Sequence, residues 1–256
     1  MKIVVCVKHA IDESELKVDG QGRPQLQGAQ TKMSTFDRNA VEEAVRVKES
    51  KGGTVDILTM GDPDARKSIK ESLAMGADAG HLIASSPSEN DTLTTSYYLA
   101  RAIQKIGNVD LVLCSEGSSD TYHGYVGAMV AEWLSLPFIG YARKIEVGDG
   151  KIRCDEALED RVEVCEASLP AVVSVVSEIN EPRYPTLLQI MQASKKPIEE
   201  LRADSLKGEN APVRLVEISD VTVQAVSRRR MIFEDPPEES ARKLIAELIR
   251  EGVLKV

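Results

Sequence analysis

The sequence has no excess of basic residues. Its 32 Lys and Arg residues are outnumbered by 41 Asp and Glu residues, which gives a formal net charge of −9. Proteins that bind nucleic acid or anionic membranes by general electrostatic attraction carry a basic face. The composition therefore argues against nucleic acid as a partner, and any site for a polyanion must be local.

Cysteine pairs and long apolar runs are also missing. The four cysteines, Cys6, Cys114, Cys154 and Cys165, form no CxxC pair, which favours reduced thiols in an intracellular protein over a disulfide framework or a zinc site. The sequence lacks the run of about 18 apolar residues that a membrane span requires. Its first ten residues turn polar too soon for a signal peptide. We therefore expect a cytoplasmic chain with no direct membrane insertion.

The common catalytic signatures are absent as well. GxGxxG, GxxxxGK, HExxH and GxSxG do not occur, and the three histidines are not at metal-ligand spacing. Ser118, Asp120 and His123 have the residue types of a hydrolase triad, but no nucleophile elbow accompanies them. We expect neither catalytic residues nor metal ligands.

What the sequence does contain is a regular alternation of short apolar runs with amphipathic segments. The apolar runs predict strands at 3–7, 55–60, 81–84 and 109–114. The amphipathic segments predict helices at 35–51, 63–76, 97–106 and 125–134. Four consecutive βα units indicate a parallel sheet.

The second half of the chain follows a different pattern. Alternating residues at 144–147 and 161–165, with a turn at 148–150, predict an antiparallel excursion before a buried strand at 171–176. We therefore assign the chain to the α/β class, as a Rossmann-like open sheet that is mainly parallel. Beyond residue 182 only a short helix, a strand-like run at 221–226 and an amphipathic helix at 237–251 are indicated. This C-terminal arm has too little apolar surface for a core of its own.

Small and polar residues follow the predicted strands at their carboxyl ends. Examples are Val7-Lys8-His9-Ala10 and the loop at 115–120, which leads into a helix that begins near His123-Gly124. Ligands of open α/β sheets bind at this edge, and free amides at a helix N-terminus attract phosphate. Taken alone, the pattern favours a nucleotide site no more than an ordinary turn, because Ser, Gly and Asp are also common turn residues.

Six blocks of the sequence together resemble the beta subunit of electron transfer flavoproteins. They are VKHAID at 7–12, FDRNAVEEAVRVKE at 36–49, SLAMGADAG at 72–80, VDLVL at 109–113, LPAVVSV at 169–175 and NEPRYPTLLQIMQASKKPI at 180–198. The last block is the most specific, since such an order of residues after LPAVV is hard to produce by chance. The resemblance runs nearly end to end.

The resemblance implies an electron carrier subunit rather than a stand-alone enzyme. In that family an electron transfer flavoprotein alpha subunit supplies most of the pocket for a redox-active FAD. The FAD accepts electrons from flavin-dependent dehydrogenases and passes them to a downstream acceptor. The beta chain binds AMP structurally, or a second FAD in flavin-bifurcating members. A stand-alone nucleotide-binding regulator or enzyme of similar fold stays open, since fold alone does not fix activity.

The resemblance also implies a set of nucleotide contacts at the carboxyl edge of the sheet. They map to Val7, Lys8, His9, Ala10, Ser34, Phe36, Asp37, Met60, Asp120, His123, Gly124, Tyr125, Val126 and Gly127. In the loop at 117–127 only Asp120 and Val126-Gly127 keep the family pattern. Tyr122 and Tyr125 are the aromatic residues there that can stack on a base.

The segment that starts at Asn180 resembles the loop on which dehydrogenases dock. The expected docking residues are Asn180, Glu181, Arg183, Tyr184, Leu187, Ile190 and Met191. By resemblance Leu187 enters a pocket on the partner, although helical spacing alone favours packing on the chain's own domain. For Ile190 and Met191 inward packing stays open. We therefore divide the chain into a nucleotide-binding α/β domain at 1–182, and a recognition loop with a C-terminal arm that wraps the alpha subunit at 183–256.

Overall fold

The described residues form a mixed sheet flanked by helices. A computed structural model describes residues 1–86, 90–222 and 230–255. The strands are β1 (Lys2–Cys6), β2 (His9–Ile11), β3 (Thr31–Met33), β4 (Thr54–Gly61), β5 (Ala79–Ala84), β6 (Leu111–Ser115), β7 (Phe138–Gly148), β8 (Lys151–Ala157), β9 (Val162–Ser168), β10 (Ala171–Val175) and β11 (Ile198–Arg202). The α-helices are α1 (Thr35–Lys51), α2 (Arg66–Met75), α3 (Thr92–Ile106), α4 (Val126–Leu134), α5 (Leu187–Ala193), α6 (Ala203–Leu206) and α7 (Pro237–Arg250).

Nine strands make one sheet in the order β11-β5-β4-β1-β6-β10-β7-β8-β9. Neighbours from β11 to β7 are parallel, whereas β7, β8 and β9 pair antiparallel. The prediction of a mainly parallel α/β sheet with an antiparallel excursion is therefore confirmed. The excursion is longer than the sequence indicated, because β7 starts at Phe138 and pairs with β10 before it turns into β8.

The central strands bury both of their faces. In β1, Ile3 and Val5 belong to the cluster that includes α1 and α2, while Val4 and Cys6 belong to the cluster that includes α3 and α4. Period-two alternation sends successive side chains to opposite faces, and parallel strands with helices on both sides are apolar throughout. This explains why the 3–7 run is continuously apolar.

The chain order creates a switch point between β1 and β6. From β1 the chain moves outward through β4 and β5, and α3 then returns it to the other side of β1, where β6 pairs with that strand. Loops that leave adjacent strands in opposite directions open a crevice between their carboxyl ends. The loops after β1 and β6 meet there.

Strands β2, β3, β8 and β11 and the short helix α6 were not predicted. The polar excursion after β1 contains an antiparallel hairpin in which His9 pairs with Met33 and Ile11 with Thr31. Farther along, β11 pairs with β5 at the sheet edge, and Leu201 is buried there. The sheet therefore continues past residue 182, and the stretch available to wrap a partner begins after Leu206. The division into units at 1–182 and 183–256 stays a prediction.

The described part of the arm after α6 contacts the start of helix α3. Asp91, at the start of α3, accepts hydrogen bonds from the amides of Leu215 and Val216 at 2.8 and 3.2 Å. Helix α7 confirms the amphipathic helix expected at 237–251, and none of its residues is buried. Of the expected strand at 221–226, residues 221–222 are not in a strand and the remainder lies outside the described residues. No helix in the described ranges is both long and apolar enough to cross a membrane.

The burial of β11 predicts a stability difference between two sheet edges. Leu201 is 2% exposed, so we expect Leu201→Ala to lower the free energy of unfolding by about 3 kcal/mol through lost burial and a residual cavity. Val164→Ala on the opposite edge strand is the control, because Val164 is 57% exposed and such surface changes cost below about 1 kcal/mol. Urea unfolding of both variants decides the point. If both variants lowered the free energy of unfolding by the same small amount, β11 would not belong to the folded sheet.

Candidate functional site

The carboxyl edge of the sheet joins three segments around Asp37. The backbone N–H of Lys8, just after β1, donates to Asp37 Oδ2 at 2.7 Å. The hydroxyl of Ser115, at the end of β6, contacts Asp37 Oδ1. A single buried carboxylate in the first turn of α1 thus ties together the ends of the two strands that flank the switch point.

Ser34 also connects the start of α1 with the loops after β1 and β6. It occupies the predicted N-cap position of α1, but its side chain makes no capping hydrogen bond. Its oxygen instead accepts from the Ser119 N–H at 3.2 Å, and its own N–H donates to the Lys8 carbonyl at 3.1 Å. The start of α1 is therefore fixed between the loops after β1 and β6.

The Lys8 side chain spans the crevice. Its ammonium lies 2.7 Å from Asp120 Oδ1 and 3.2 Å from the hydroxyls of Ser118 and Thr121. Burial raises the pKa of Asp120, but hydrogen bonds from Lys8, Ser118 and the Thr121 amide, together with the Lys8 charge, outweigh burial and leave that pKa lowered. The ion pair holds the loop after β6 over the loop after β1, and it presents a cation at the strand tips.

Asp37 is buried, and the direction of its hydrogen bond with Ser115 depends on whether its carboxyl is protonated. Burial raises the pKa of its carboxyl to about 7, although Ser115 and the Lys8 amide lower it. The one hydroxyl proton of Ser115 has two acceptors in reach, Asp37 Oδ1 and the Gly117 carbonyl at 2.7 Å. A protonated Asp37 donates to Ser115, which then donates to Gly117. In that arrangement the Asp37 carboxyl, the Ser115 hydroxyl and the Gly117 carbonyl all have a hydrogen-bond partner.

Tyr122 presents an aromatic ring beside this cluster. The ring packs edge-on against Phe36, with centroids 5.5 Å apart, and the hydroxyl donates to Glu116 Oε2 at 2.8 Å. A Cβ at position 117 would lie 2.8 Å from Tyr122 Cδ2, so Gly117 is what lets the ring approach. The hydrogen bond to Glu116 raises the pKa of Tyr122 to about 12. The ring is 53% exposed, which leaves it available to a planar ligand.

Helix α4 begins at Val126 directly after this loop. Its N-cap, Tyr125, makes no side-chain capping hydrogen bond, and its first turn contains no acidic residue. Gly127 lets the helix lie close to β6, because a Cβ there would be 3.4 Å from the Cys114 Cβ. The first amides of α4 are thus left to a ligand or to water. His123, Gly124 and Tyr125 are exposed.

Other predicted contact residues lie away from the ion pair. His9 Nδ1 is 2.8 Å from Ser68 Oγ of α2, and burial lowers the His9 pKa, so the ring is neutral at pH 7. The Val7 carbonyl accepts from the Thr59 hydroxyl, and Ala10 is buried in β2. Met60 and Val126 both pack on the cluster of α3 and α4. The contacts described above therefore connect Lys8, Ser34, Phe36, Asp37 and Asp120 in one cluster, and the other predicted residues have partners outside it.

The docking segment divides into held and exposed residues. Asn180 donates to the Asn39 carbonyl and to Glu43 Oε2, each at 3.0 Å, and Arg183 binds two carboxylates of α1. Glu181 is exposed, and its carbonyl accepts from Arg46 at 3.2 Å. Tyr184, Leu187, Ile190 and Met191 are 88%, 75%, 52% and 62% exposed. Packing of Ile190 and Met191 into their own domain, which the helical spacing left open, is wrong.

Several residues of the two sites were missed from the sequence. Ser115 and Thr121 stand in the loop that was singled out, but serine and threonine give no individual signal there. Glu42 and Glu49, which receive Arg183, lie in the FDRNAVEEAVRVKE block. The concentration of acids in that block was the available signal. Across the described ranges, no group of three or more His, Cys, Asp or Glu residues is arranged to hold a metal ion.

The raised pKa of Asp37 predicts a pH-dependent stability. Its folded pKa, about 7, exceeds the ordinary value of 3.8, so the native state binds more protons between these values and stability falls as pH rises toward 7. Asp37→Asn mimics the protonated carboxyl, so its stability relative to the native chain should improve by about 3 kcal/mol between pH 5 and pH 8. Urea titrations at the two pH values measure this.

Asp91→Asn is the control for that experiment. Burial raises the pKa of Asp91, but hydrogen bonds from Thr94 and Leu215 outweigh it and lower the pKa to about 2. Its carboxyl is therefore ionised in both folded and unfolded chains from pH 5 to 8, and the variant should show a constant difference. A constant difference for Asp37→Asn as well would contradict a raised pKa at Asp37.

Comparisons with known proteins show the family of the chain. A family model described as the electron transfer flavoprotein domain matches residues 25–206. The "Electron transfer flavoprotein subunit beta" of Thermoanaerobacterium thermosaccharolyticum is 32% identical, over 99% of this chain and 95% of that protein. The protein of the same name from Clostridium acetobutylicum is 30% identical, over 98% of this chain and 99% of its own length. The "Caffeyl-CoA reductase-Etf complex subunit CarD" of Acetobacterium woodii is 37% identical over 77% of each chain. The chain therefore belongs to the electron transfer flavoprotein family, among its beta subunits.

Proposed function

We propose that the chain is the beta subunit of a heterodimeric electron transfer flavoprotein. The heterodimer accepts electrons from flavin-dependent dehydrogenases through an FAD that is held mainly by the alpha subunit, and this FAD passes the electrons to a downstream acceptor. The beta chain binds AMP at its own strand tips. The observation that carries the proposal is the convergence of Lys8, Asp37, Asp120 and the uncapped start of α4 at the switch point of the sheet. We place this function in the cytoplasm.

The residues at the strand tips fit an adenylate. A phosphate is attracted by the free amides and the partial positive charge at the start of α4, and by the ammonium of Lys8. The exposed ring of Tyr122 offers a stacking face for a base, and Met60 and Val126 add apolar surface. Adenylate has no accessible redox chemistry, so AMP at this edge has a structural role, whereas a flavin would supply electron transfer.

The arm supports the heterodimer. Helix α7 leaves Leu244, Ile245 and Ile249 between 41% and 50% exposed, although it is amphipathic and 14 residues long. An amphipathic helix is stable when another surface covers its apolar stripe. The alpha subunit is the partner that we assign to this surface.

The exposed helix α5 supports docking of dehydrogenases. Leu187 and its neighbours form an apolar patch rimmed by polar residues, which suits a small, transient interface with one anchoring side chain. The name of the Acetobacterium woodii relative places that protein in a complex with a reductase of a CoA ester. A flavin-dependent dehydrogenase or reductase is therefore the class of partner that we propose for α5.

Nucleotide extraction from the co-expressed heterodimer tests the proposed cofactors. We expect one FAD and one AMP for each heterodimer, with little flavin bound to the beta chain alone, since the FAD pocket is mainly that of the alpha subunit. Mass spectrometry and absorbance of the extract give the two ratios. Two FAD molecules and no AMP would replace the proposal by the flavin-bifurcating form, and a beta chain that neither binds a nucleotide nor associates with the alpha subunit would contradict both.

Leu187→Ala tests the docking surface. Truncation of a buried anchor costs about 1 to 3 kcal/mol, so the KM of the heterodimer for a purified flavin-dependent dehydrogenase should rise by between about fivefold and about 150-fold. Flavin content should not change, because Leu187 lies on α5 rather than at the strand tips. Leu188→Ala is the control at the next position, which is 63% exposed. An effect of Leu188→Ala that equals or exceeds that of Leu187→Ala would contradict Leu187 as the anchor.

A further inference from the structure

Helix α5 packs against α2, but it buries little of its own surface. It is seven residues long, and Ala193 is its one buried residue. Isolated helices of this length are unstable in water. A capping box between Thr186 and Gln189 stabilises its first turn, with the Thr186 N–H donating to Gln189 Oε1 at 2.8 Å. That box is internal to the helix, so it does not determine where α5 lies on the protein.

Arg183 attaches the chain just before α5 to helix α1. Its guanidinium Nε lies 2.8 Å from Glu42 Oε2 and Nη2 lies 3.1 Å from Glu42 Oε1. On the other side, Nη1 lies 2.6 Å from Glu49 Oε1 and Nη2 lies 3.0 Å from Glu49 Oε2. The planar guanidinium thus makes two paired contacts, the geometry in which Arg–carboxylate bonds are strongest. A lysine has no equivalent fork.

The buried Glu42 carboxylate favours one conformation of the loop that carries Arg183. Its side chain is 3% exposed, and a buried carboxylate requires charged or polar partners. Burial raises the pKa of Glu42, but hydrogen bonds from Arg183 and Arg46 outweigh burial and leave it lowered. The ionised group therefore favours the one loop conformation in which Arg183 reaches it. Asn180 strengthens that conformation through its bonds to Asn39 and Glu43.

Lys196 attaches the chain just after α5 to helix α2. Its ammonium donates to the carbonyls of Leu73 and Ala77 at 2.9 and 2.5 Å. The Leu73 carbonyl is in the last turn of α2 and the Ala77 carbonyl lies two residues after that helix, near the end where the helix dipole favours a cation. The chain on either side of α5 is thus attached to carboxylates of α1 and to carbonyls at the end of α2.

We propose that Arg183 and Lys196 are positioning residues for docking, which hold α5 against α2 with its apolar side chains outward before a partner arrives. The inference rests on the proposed docking function of α5. A surface that is already ordered loses less conformational entropy on binding, so its affinity is higher. Without the two attachments, four exposed apolar side chains on a short helix favour frayed or inward-packed conformations that a partner must reverse.

The test compares substitutions at the Arg183 fork in the intact heterodimer. Arg183→Gln removes both paired contacts, and Glu49→Gln removes one of them from an exposed position, which avoids an unpaired buried charge. We expect the KM for a purified flavin-dependent dehydrogenase to rise about tenfold for Arg183→Gln and about threefold for Glu49→Gln, with kcat within about twofold of the native value. Flavin content should stay unchanged.

Hydrogen exchange separates positioning from general stability. Amides of α5 should exchange about tenfold faster in Arg183→Gln than in the native heterodimer, while amides of the central strands keep their protection. Arg183→Lys keeps the charge but loses the fork. Its KM and its α5 exchange rate should therefore lie between those of the native and the Arg183→Gln heterodimers. Lys196→Gln should accelerate exchange in α5 as well. Arg161→Gln is the control, since Arg161 also bridges two carboxylates, Asp160 and Glu163, in the β8–β9 loop.

The outcomes distinguish this inference from the docking function itself. If Leu187→Ala raises the KM and Arg183→Gln leaves both KM and α5 exchange at native values, the positioning role is wrong and the docking surface stands. If Arg183→Gln lowers only the free energy of unfolding, the role is structural and the inference is overturned. If neither Leu187→Ala nor Arg183→Gln changes the KM, the docking surface is wrong and the inference falls with it.

Discussion

The acidic side chains of helix α1 hold together the segments that form both of the proposed binding surfaces. In its first turn Asp37 accepts the Lys8 amide and contacts Ser115, which joins the ends of β1 and β6. Farther along, Glu42 and Glu49 receive Arg183. An acidic row that appears from the sequence to be an ordinary solvated helix face is largely engaged with other parts of the chain. Charged groups that lose water must gain such partners.

One helix therefore connects the proposed nucleotide site and the proposed docking site. Its N-terminal turn lies at the strand tips, and its later turns hold the segment that precedes α5. Because α1 is packed along the sheet by Ala40, Val41, Ala44 and Val45, its carboxylates are presented from a rigid support. The proposed function assigns three exposed surfaces to ligands and partners: the ring of Tyr122, the apolar face of α5 and the apolar stripe of α7.

The sheet and its first four long helices followed from the sequence, because apolar runs and helical periodicity are local signals. Strand β11 did not, since Ile198-Glu-Glu-Leu-Arg buries one side chain deeply, Leu201, and lacks an alternating pattern. The partners within the sites were beyond sequence reasoning for another reason. Asp37 and Ser115 are 78 positions apart, and Arg183 and Glu42 are 141 apart, so only the fold brings them together. The roles of Asn180 and Arg183 as attachments rather than exposed contacts required the same information.

A crystal structure of the chain co-purified with its alpha subunit tests whether the strand tips bind a nucleotide. We expect a nucleotide between the loop after β1 and the segment at 118–127, with Asp37 still joined to the Lys8 amide and Ser115. We also expect the alpha subunit to cover α7 and to leave the apolar face of α5 uncovered. Strand tips that hold no nucleotide, with the crevice filled by Lys8 and Asp120, would contradict the proposal.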